Sequence, residues 1–327
     1  MKKRMLALSS ILGMSFMLLT GFDSSVTPET ILENASAAIS NASSLDFNMG
    51  LDFLLNMEML TRSGEDTIPL NVGMGISGNI EFQAVQDQSF ATLMNLSMIS
   101  MGTSEQLSNS IYLVPNEDGY DSYTYDSNIG TWSYQFEESS DTQETLDQLK
   151  GLLSGDLPDD FSDSSSDLSD LSSYVEFTLS DQPVTVNGVS CYELTSTIDG
   201  SLFSENQQLI DTLFSMQDMD ETSMLLVYYM LDGINIDISY YVAVDTNLPV
   251  QVLVDFSETD LSILSQLIEL SMSLESDSSA ETSFDFSLDS ALITINIDTD
   301  NLPTVTVPQE ALNVKEQSTS SESDALN

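Results

Sequence analysis

The chain has 327 residues, with 53 Asp and Glu against 6 Lys and Arg, and its formal net charge is -47 at pH 7. Nucleic-acid binding needs clustered cations to meet the phosphates, so this charge excludes nucleic-acid partners. There is no histidine and a single cysteine, Cys191. These counts exclude histidine-based general-base catalysis, Ser-His triads, the common zinc sites and any disulfide within the chain.

Residues 1–22 have the layout of a secretory signal peptide. A basic segment at residues 2–4 precedes an uncharged, largely apolar run over residues 5–22, and a polar stretch begins at Asp23. Such a segment directs export and takes no part in the fold. The sequence therefore predicts an extracytoplasmic protein, either secreted or held at the outer face of the cell membrane.

Two fates of this segment stay open. Residues 19–21 (Leu-Thr-Gly) match the first three positions of a bacterial lipobox, but Phe22 stands where the lipidated cysteine belongs. Without a thiol, no lipid can be attached there. The uncharged run over residues 5–22 would form a helix of about 27 Å, close to the thickness of a bilayer core. Membrane anchorage through residues 5–22 therefore competes with cleavage by an ordinary signal peptidase.

A helix and a long hairpin are predicted next. Thr27 followed by Pro28 is typical of an N-cap with proline at the first helical position, and apolar residues at three- and four-residue spacing predict an amphipathic helix over residues 27–43. The apolar period then changes to two, which predicts a strand with one apolar face over residues 45–59. The same alternation resumes over residues 68–82 after a polar turn, so these two strands form an extended hairpin.

The remaining pattern predicts further strands and three inserted helices. The helices are expected over residues 141–153, 204–217 and 258–272, and a Ser/Asp/Gly-rich link over residues 154–173. Further strands are expected at residues 90–98, 110–115, 120–126, 131–136, 174–180, 184–186, 191–197, 234–244, 250–256, 284–288 and 292–297, followed by an apolar segment at 304–308. Connections this short favour a single α+β domain over residues 27–312, in which helices cover one face of a large curved antiparallel sheet. Residues 313–327 are expected to be a disordered tail.

The order of these elements resembles the LolA, LprG and LppX superfamily of lipoprotein and lipid carriers. The likeness is greatest to an uncharacterised branch of Gram-positive surface lipoproteins, and it covers most of residues 27–312. It lies in the signal, helix and long hairpin, in the aromatic hairpin with Tyr120, Tyr123, Tyr125 and Trp132, in the Tyr240-Tyr241 strand with its turn at residues 245–249, and in the ending Val307-Pro308-Gln309-Glu310-Ala311. The resemblance implies a LolA-like incomplete β-barrel, capped by an N-terminal helix and inserted helices, whose apolar cavity holds acyl chains.

Methionines on the apolar faces of the first three strands suggest a ligand-binding surface. The flexible thioether adapts to irregular apolar shapes, which suits a surface that accepts varied alkyl chains. The alternative is that these side chains only fill a core beneath the helices. The predicted cavity lining consists of Phe47, Met49, Leu51, Phe53, Leu70, Val72, Met74, Ile76, Met94, Leu96, Met98 and Trp132. Trp132 is placed either at the cavity mouth or at one end of the core.

The other candidate sites are interpreted as structural. The acidic segment at residues 156–170 offers oxygen ligands, but it lacks the calcium-loop pattern and is interpreted as a solvated link, so no metal site is predicted. Carboxylate pairs that would suit a glycosidase arise by chance among so many acids, and none stands out, so we predict no catalytic residue and no cofactor. Cys191 is expected to be a buried apolar residue rather than a reactive thiol.

Two functional hypotheses follow. The leading one is a non-enzymatic extracytoplasmic protein that holds an acyl chain or a lipid-linked ligand in an apolar cavity, with a lipid or another apolar small molecule as its partner. The alternative is an acidic cell-surface interaction or sensory module with a closed core and no lipid ligand, whose binding to a basic partner would be salt-sensitive. The identity of the ligand and the oligomeric state are not predicted.

Overall fold

The computed structural model describes residues 27–42, 45–63, 66–84, 89–100, 102–138, 175–200, 202, 231, 233–275, 281–298 and 305–315. The predicted signal or anchor segment, the helices expected at residues 141–153 and 204–217, and the link at residues 154–173 lie outside these ranges.

The N-terminal helix begins as the sequence predicts. Helix α1 (Pro28–Ser40) has Thr27 as its N-cap in an extended conformation, and the Thr27 hydroxyl accepts a hydrogen bond from the Thr30 amide at 3.4 Å. Its last turn is closed by Asn41, whose side-chain amide donates to the Ala37 carbonyl at 2.7 Å. Both caps satisfy backbone groups that a helix end leaves without intrahelical partners.

Twelve strands form one antiparallel sheet. They are β1 (Leu45–Ser63), β2 (Asp66–Ala84), β3 (Phe90–Ser100), β4 (Thr103–Pro115), β5 (Gly119–Asp126), β6 (Thr131–Glu138), β7 (Thr178–Leu179), β8 (Val184–Val186), β9 (Val189–Asp199), β10 (Asn235–Ala243), β11 (Pro249–Asp255) and β12 (Glu281–Asp298). The strand order is β6-β5-β4-β3-β2-β1-β12-β11-β10-β9-β7, and β8 pairs with β9 outside this path. In the described part of the chain the end strands β6 and β7 do not pair with each other, so the sheet is open rather than a closed barrel, as predicted.

The predicted hairpin forms the centre of the sheet together with the last strand. β1 pairs with β2 without a register shift, from Leu45 opposite Ala84 to Ser63 opposite Asp66, and β1 pairs with β12 on its other side. The two strands predicted at residues 284–288 and 292–297 are a single strand, because β12 continues through a bulge. Residues 54 and 55 of β1 face residues 290 and 288 of β12, which leaves Asp289 as the extra residue. Before the bulge the inner-face apolar residues of β12 have even numbers, and after it they have odd numbers. In the sequence this change looks like a break between two strands.

The sheet has an inner face, which we define as the face that carries the odd-numbered residues of β1 and packs against α1. The core on this face includes Ile31, Leu32, Ala35 and Ile39 of α1. Antiparallel pairing brings one buried side chain from each of six neighbouring strands into a single row across the sheet: Leu194, Tyr240, Val252, Ile295, Met49 and Ile80. The period-two alternation of each strand therefore produces one continuous apolar face.

A second helix lies beside the part of β12 that β11 does not reach. β11 pairs with residues 292–296 of β12, and helix α2 (Ser262–Glu275) contacts β12. The Glu269 carboxylate accepts a hydrogen bond from the Phe284 backbone amide at 2.9 Å. This arrangement covers an edge that would otherwise offer unpaired backbone groups. The helix predicted at residues 258–272 is thus present, shifted by a few residues.

Gly78 in β2 provides a test of the sheet geometry. Its φ angle is +148°, and a Cβ atom built there would lie 2.1 Å from the Asn95 carbonyl oxygen in β3. We therefore expect Gly78→Ala to lower the free energy of unfolding by about 3 kcal/mol, through backbone strain and overpacking. Urea titration followed by circular dichroism measures this loss.

The matched control is Gly50→Ala in β1. A Cβ atom at Gly50 would meet Thr294 at 3.7 Å, which is an ordinary van der Waals distance. We expect this substitution to change the stability by less than about 1 kcal/mol. Equal effects of the two substitutions would contradict the described approach of β2 to β3 at Gly78.

Candidate functional site

The inner face of the sheet is divided along its strands into two halves. In the closed half, side chains near one end of the strands are buried in the core that includes α1, namely Phe47, Met49, Ile80, Phe82, Phe90 and Leu113. In the open half, the side chains towards the β1–β2 turn are half-buried or exposed, except for Phe286 of β12, which is buried opposite Met57. We define the open half by Leu55, Met57, Met59, Ile68, Leu70, Val72, Met74, Ile76, Met98, Phe284 and Leu288.

The lengths of the elements explain this division. Helix α1 has 13 residues and measures about 20 Å, whereas β1 has 19 residues and measures about 63 Å. One helix of this length covers only part of the face that such a strand presents. The apolar pattern of the hairpin nevertheless continues to its turn, so the sequence provides more apolar sheet than α1 can bury.

Strand register makes the open half a continuous surface. Met59 lies opposite Phe284 on one side and Leu70 on the other, and Leu55 lies between Leu288 and Met74 in the same way. Ile76 lies opposite Met98. Directly opposed residues in an antiparallel sheet have Cβ atoms about 5 Å apart, so neighbouring side chains in these rows touch.

Several of these side chains are well exposed. The exposed fractions are 62% for Ile68, 48% for Leu70, 42% for Ile76 and 37% for Met98. Single exposed apolar residues are common on protein surfaces, but a contiguous group is characteristic of a binding surface. The open half is therefore the candidate functional site.

The twelve predicted lining residues fall into four groups. Phe47 and Met49 are buried in the closed half, and Leu51, Phe53, Met94 and Leu96 are partly buried against the same core. Five lie in the open half: Leu70, Val72, Met74, Ile76 and Met98. The structure therefore brings eleven of the twelve onto one face and divides them between a core and an exposed surface. Trp132 is separate from them.

The structure divides the methionines between the core and the exposed surface. Met49 is buried in the same core as Ile31 of α1, which is the core-filling role. Met74 and Met98 lie outside that core and are half-buried or exposed. Only the methionines of the open half can therefore contact a ligand on the surface as described.

Some residues of the open half were absent from the predicted lining. Leu55, Met57, Met59 and Ile68 belong to the alternating pattern of the predicted hairpin, so the signal that identifies them was present in the sequence. Phe284 and Leu288 of β12 reach this surface only through pairing with β1, more than two hundred residues earlier in the chain. No local pattern indicates that pairing.

The prediction that Trp132 lines the same surface is wrong, because Trp132 lies on the opposite, outer face. Its ring centroid is 6.0 Å from that of Tyr112 and 5.3 Å from that of Tyr125. This second core also includes Ala91 and Tyr123, and residues of the C-terminal segment pack against it: Val305, Val307, Ala311 and Leu312. On its inner side the aromatic hairpin carries Tyr120, which packs in the core that includes α1, and otherwise polar residues, so its main apolar face does not continue the apolar face of β1 and β2.

The C-terminal segment is held on the outer face by the aromatic core and by one ion pair. Residues 305–308 are not a strand, and residues 309–315 form a short helix, α3. Lys315 pairs with Asp121 and lies 5.4 Å above the ring of Tyr134. The predicted disordered tail therefore begins too early at residue 313, because the charge and ring contacts of Lys315 hold residues 313–315 on the domain.

The pKa of Asp121 reflects this environment. Burial alone would raise the pKa, but hydrogen bonds from Lys315, from the Asn116 amide at 2.8 Å and from the Tyr134 hydroxyl at 3.0 Å outweigh it. The net result is a pKa below the ordinary value of an aspartate. Asp121 therefore stays ionised and keeps Lys315 in place.

Cys191 is buried, as the sequence predicts. It lies in a small apolar cluster with Ala243 and Val250, and burial raises the pKa of its thiol. A buried thiol with a raised pKa is a poor nucleophile.

A group of carboxylates lies at the end of β1, away from the open half. Burial raises the pKa of Asp46 to about 6, and the charges of Glu81 and Asp298 contribute in the same direction. Asp298 faces Asp46 directly across the β1–β12 pair. Over the described ranges, no group of three or more carboxylate or thiol side chains is placed to hold a metal ion.

Within the described segments, no helix combines the length and the apolar character needed to cross a membrane.

Comparisons with known proteins found similar solved structures but no related sequence. No protein-family model and no curated protein matches the chain. Similar structures include LprF from Mycobacterium bovis, with a TM-score of 0.35, 12% identity, and coverage of 88% of this chain and 100% of that chain. The lipoprotein LppX of Mycobacterium tuberculosis has a TM-score of 0.31 and 10% identity, and the match covers 85% of this chain and 97% of that chain.

A LolA superfamily protein from Nitrosomonas europaea is also similar, with a TM-score of 0.18, 8% identity, and coverage of 88% of this chain and 97% of that chain. LppX and the LolA superfamily are groups that the order of elements in the sequence also resembles. The superpositions are loose, so we base no conclusion about function on them.

The raised pKa of Asp46 makes stability depend on pH. Because the pKa of Asp46 in the folded state, about 6, is above the ordinary aspartate value of 3.8, the folded state favours the protonated form. The stabilisation that the protonated Asp46 carboxyl gives to the folded state is fully present below pH 3.8 and is lost as the pH rises through 6. We therefore expect Asp46→Asn to raise the melting temperature at pH 8 and to give a smaller gain at pH 4.5.

Thermal unfolding of both proteins across this pH range measures the effect. Asp298→Asn removes one of the two neighbouring charges and is expected to give part of the same gain. A gain from Asp46→Asn that is equal at pH 4.5 and pH 8 would contradict the assigned cause.

The ion pair of Lys315 has the opposite pH dependence. We expect Lys315→Met to lower the free energy of unfolding at pH 7 by about 1–2 kcal/mol, since it leaves the Asp121 carboxylate without its cation. Because the pKa of Asp121 is lowered, this stability difference is present above the ordinary aspartate pKa of 3.8 and is lost as the pH falls through the folded-state pKa. Urea titrations at pH 7 and near pH 3 measure it, with Lys315→Arg as the control that retains the charge.

Proposed function

We propose that the chain is a non-enzymatic, extracytoplasmic protein that binds an acyl chain or a lipid-linked molecule on the open half of its sheet. The observation that carries this proposal is the contiguous, partly exposed apolar surface of β1, β2, β3 and β12, which continues the buried core without a polar boundary. The export signal that the sequence predicts over residues 1–22 supports this location.

The chemistry of the open half suits an apolar ligand. Its defining side chains are aliphatic, thioether and aromatic groups, so a ligand there gains burial of hydrocarbon, at about 0.8 kcal/mol for each CH2 group removed from water. Met57, Met59, Met74 and Met98 can adjust their shape to chains of different branching.

The strand rows suggest how a chain would lie. Side chains project from the sheet at each second residue, so grooves run both along and across the strands. A linear chain that follows β2 would contact Leu70, Val72, Met74 and Ile76 in succession, and Met98 would lie to one side. Contact with several flexible side chains favours a class of ligands rather than one compound.

Two isoleucines of similar exposure test this proposal. Ile76 is on the inner face and is 42% exposed, whereas Ile99 is on the outer face of β3 and is 40% exposed. We expect Ile76→Ser to weaken binding of a pyrene-labelled fatty acyl ester about fivefold, because it removes apolar contact area from the ligand surface. We expect Ile99→Ser to leave the affinity unchanged.

Fluorescence titration measures both affinities, and mass spectrometry of organic extracts from the purified protein shows whether it carries a lipid. Equal effects of the two substitutions would show that the open half is not the ligand surface. Absence of lipid from the extracts, together with no probe uptake and salt-sensitive binding to a basic protein, would support the acidic interaction module instead.

A further inference from the structure

Two hydroxyl groups on the inner face are buried without a hydrogen-bond partner in the described part of the chain. They are Tyr240 Oη, on a side chain in β10 of which 1% is exposed, and Ser196 Oγ, on a side chain in β9 of which 7% is exposed. A buried polar atom without a partner is costly, and native structures contain few of them. Such an atom on a ligand-binding face calls for an explanation.

The pairing of β9 with β10 places these two hydroxyl-bearing residues near each other. Tyr240 lies opposite Leu194, and Ser196 lies opposite Ile238, so the two residues are diagonal neighbours on adjacent strands. Diagonal neighbours have Cα atoms about 7–8 Å apart, which the tyrosine side chain can span. Both residues therefore lie in one region of the inner face.

Tyr241, the next residue, shows the contrast between the two faces. It lies on the outer face, and its hydroxyl donates to the Glu193 carboxylate at 3.1 Å. The same strand thus carries one tyrosine with a protein acceptor and one without. Burial raises the pKa of Tyr240, so its hydroxyl stays protonated and can donate a hydrogen bond.

The charges around the inner face disfavour an anionic ligand. Among the described residues, the two basic side chains are Arg62 and Lys315. Arg62 occupies an outer-face position of β1, and Lys315 pairs with Asp121 against the outer aromatic core. The inner-face positions next to Met98 and Asn109 carry Glu105 and Asp126. Among the described inner-face residues, a carboxylate or phosphate would find no cation to offset its desolvation.

We propose that the hydroxyls of Tyr240 and Ser196 form a polar anchor that donates hydrogen bonds to the carbonyl oxygen of an uncharged acyl ester. This inference rests on the proposed function, and it specifies the ligand as a neutral ester rather than a fatty-acid anion. The ester end lies against β9 and β10, and the hydrocarbon extends across the sheet towards the open half.

The separation of the two regions agrees with a long chain. Tyr240 lies in the same row across the sheet as Met49, and Met49 is six residues from Leu55 along β1. β10 is three strands away from β1 in the sheet. These offsets correspond to about 20 Å along the strands and about 14 Å across them. Since Tyr240 is closed off from solvent, the ester end reaches it only when the core that includes α1 opens.

Three pyrene probes of equal chain length test the anchor: a methyl ester, a carboxylic acid measured at pH 8, and a hydrocarbon without oxygen. We expect the ester to bind most tightly to the unmodified protein. Tyr240→Phe and Ser196→Ala should each weaken ester binding about fivefold and leave hydrocarbon binding unchanged. Tyr241→Phe is the control, and it should leave all three affinities unchanged.

The melting temperature of the ligand-free protein gives a second measurement. We expect Tyr240→Phe to keep or raise it, because an unpartnered hydroxyl is removed, and Tyr241→Phe to lower it, because a satisfied one is lost. The anchor is overturned if ester and hydrocarbon affinities fall equally or stay unchanged in Tyr240→Phe, or if this variant lowers the melting temperature as Tyr241→Phe does. Failure of all three probes to bind the unmodified protein would instead overturn the proposed function itself.

Discussion

The structure depends on the pairing of β1 with β2 on one side and β12 on the other. Each of these long strands alternates apolar and polar residues, and the registers place the apolar set of all three on the same face. A shift of one residue would move an entire set to the other face, so burial of Met49, Ile80 and Ile295 against α1 fixes the register. The rest of the sheet extends outwards from this centre.

The candidate site follows from the same alternation. The pattern of β1 and β2 continues beyond the reach of α1, so the rows that form the core near Met49 form a surface near Leu70. The core and the exposed surface therefore consist of the same kinds of residues, and they differ in whether α1 covers them. In this sheet one repeated pattern forms both the core and the proposed ligand surface, and the unpartnered hydroxyls of Tyr240 and Ser196 lie on β10 and β9, away from the hairpin.

Local pattern was sufficient to predict α1, the hairpin and most strands, because caps and alternation are encoded within a few residues. It was not sufficient for features that depend on contacts between residues far apart in the sequence. The bulge at Asp289 made one strand look like two, and Phe284 reaches the site only through β1. Trp132 was assigned to the wrong face because the pattern of one hairpin does not indicate which of its faces is the inner one. Residues 313–315 looked like a tail because Asp121, the partner of Lys315, is almost two hundred residues away in the sequence.

The position of β12 also has a consequence for how the molecule is assembled. The strands from β1 to β6 can pair in the order in which they are synthesised. The other edge of β1 stays unpaired until residues 281–298 are available. Such distant pairings slow folding, because closing a long loop costs chain entropy before the stabilising contacts form. One edge of β1, at the centre of the future sheet, thus stays unpaired until residues 281–298 have emerged. The high negative charge of the chain helps to keep unfinished molecules apart during this time.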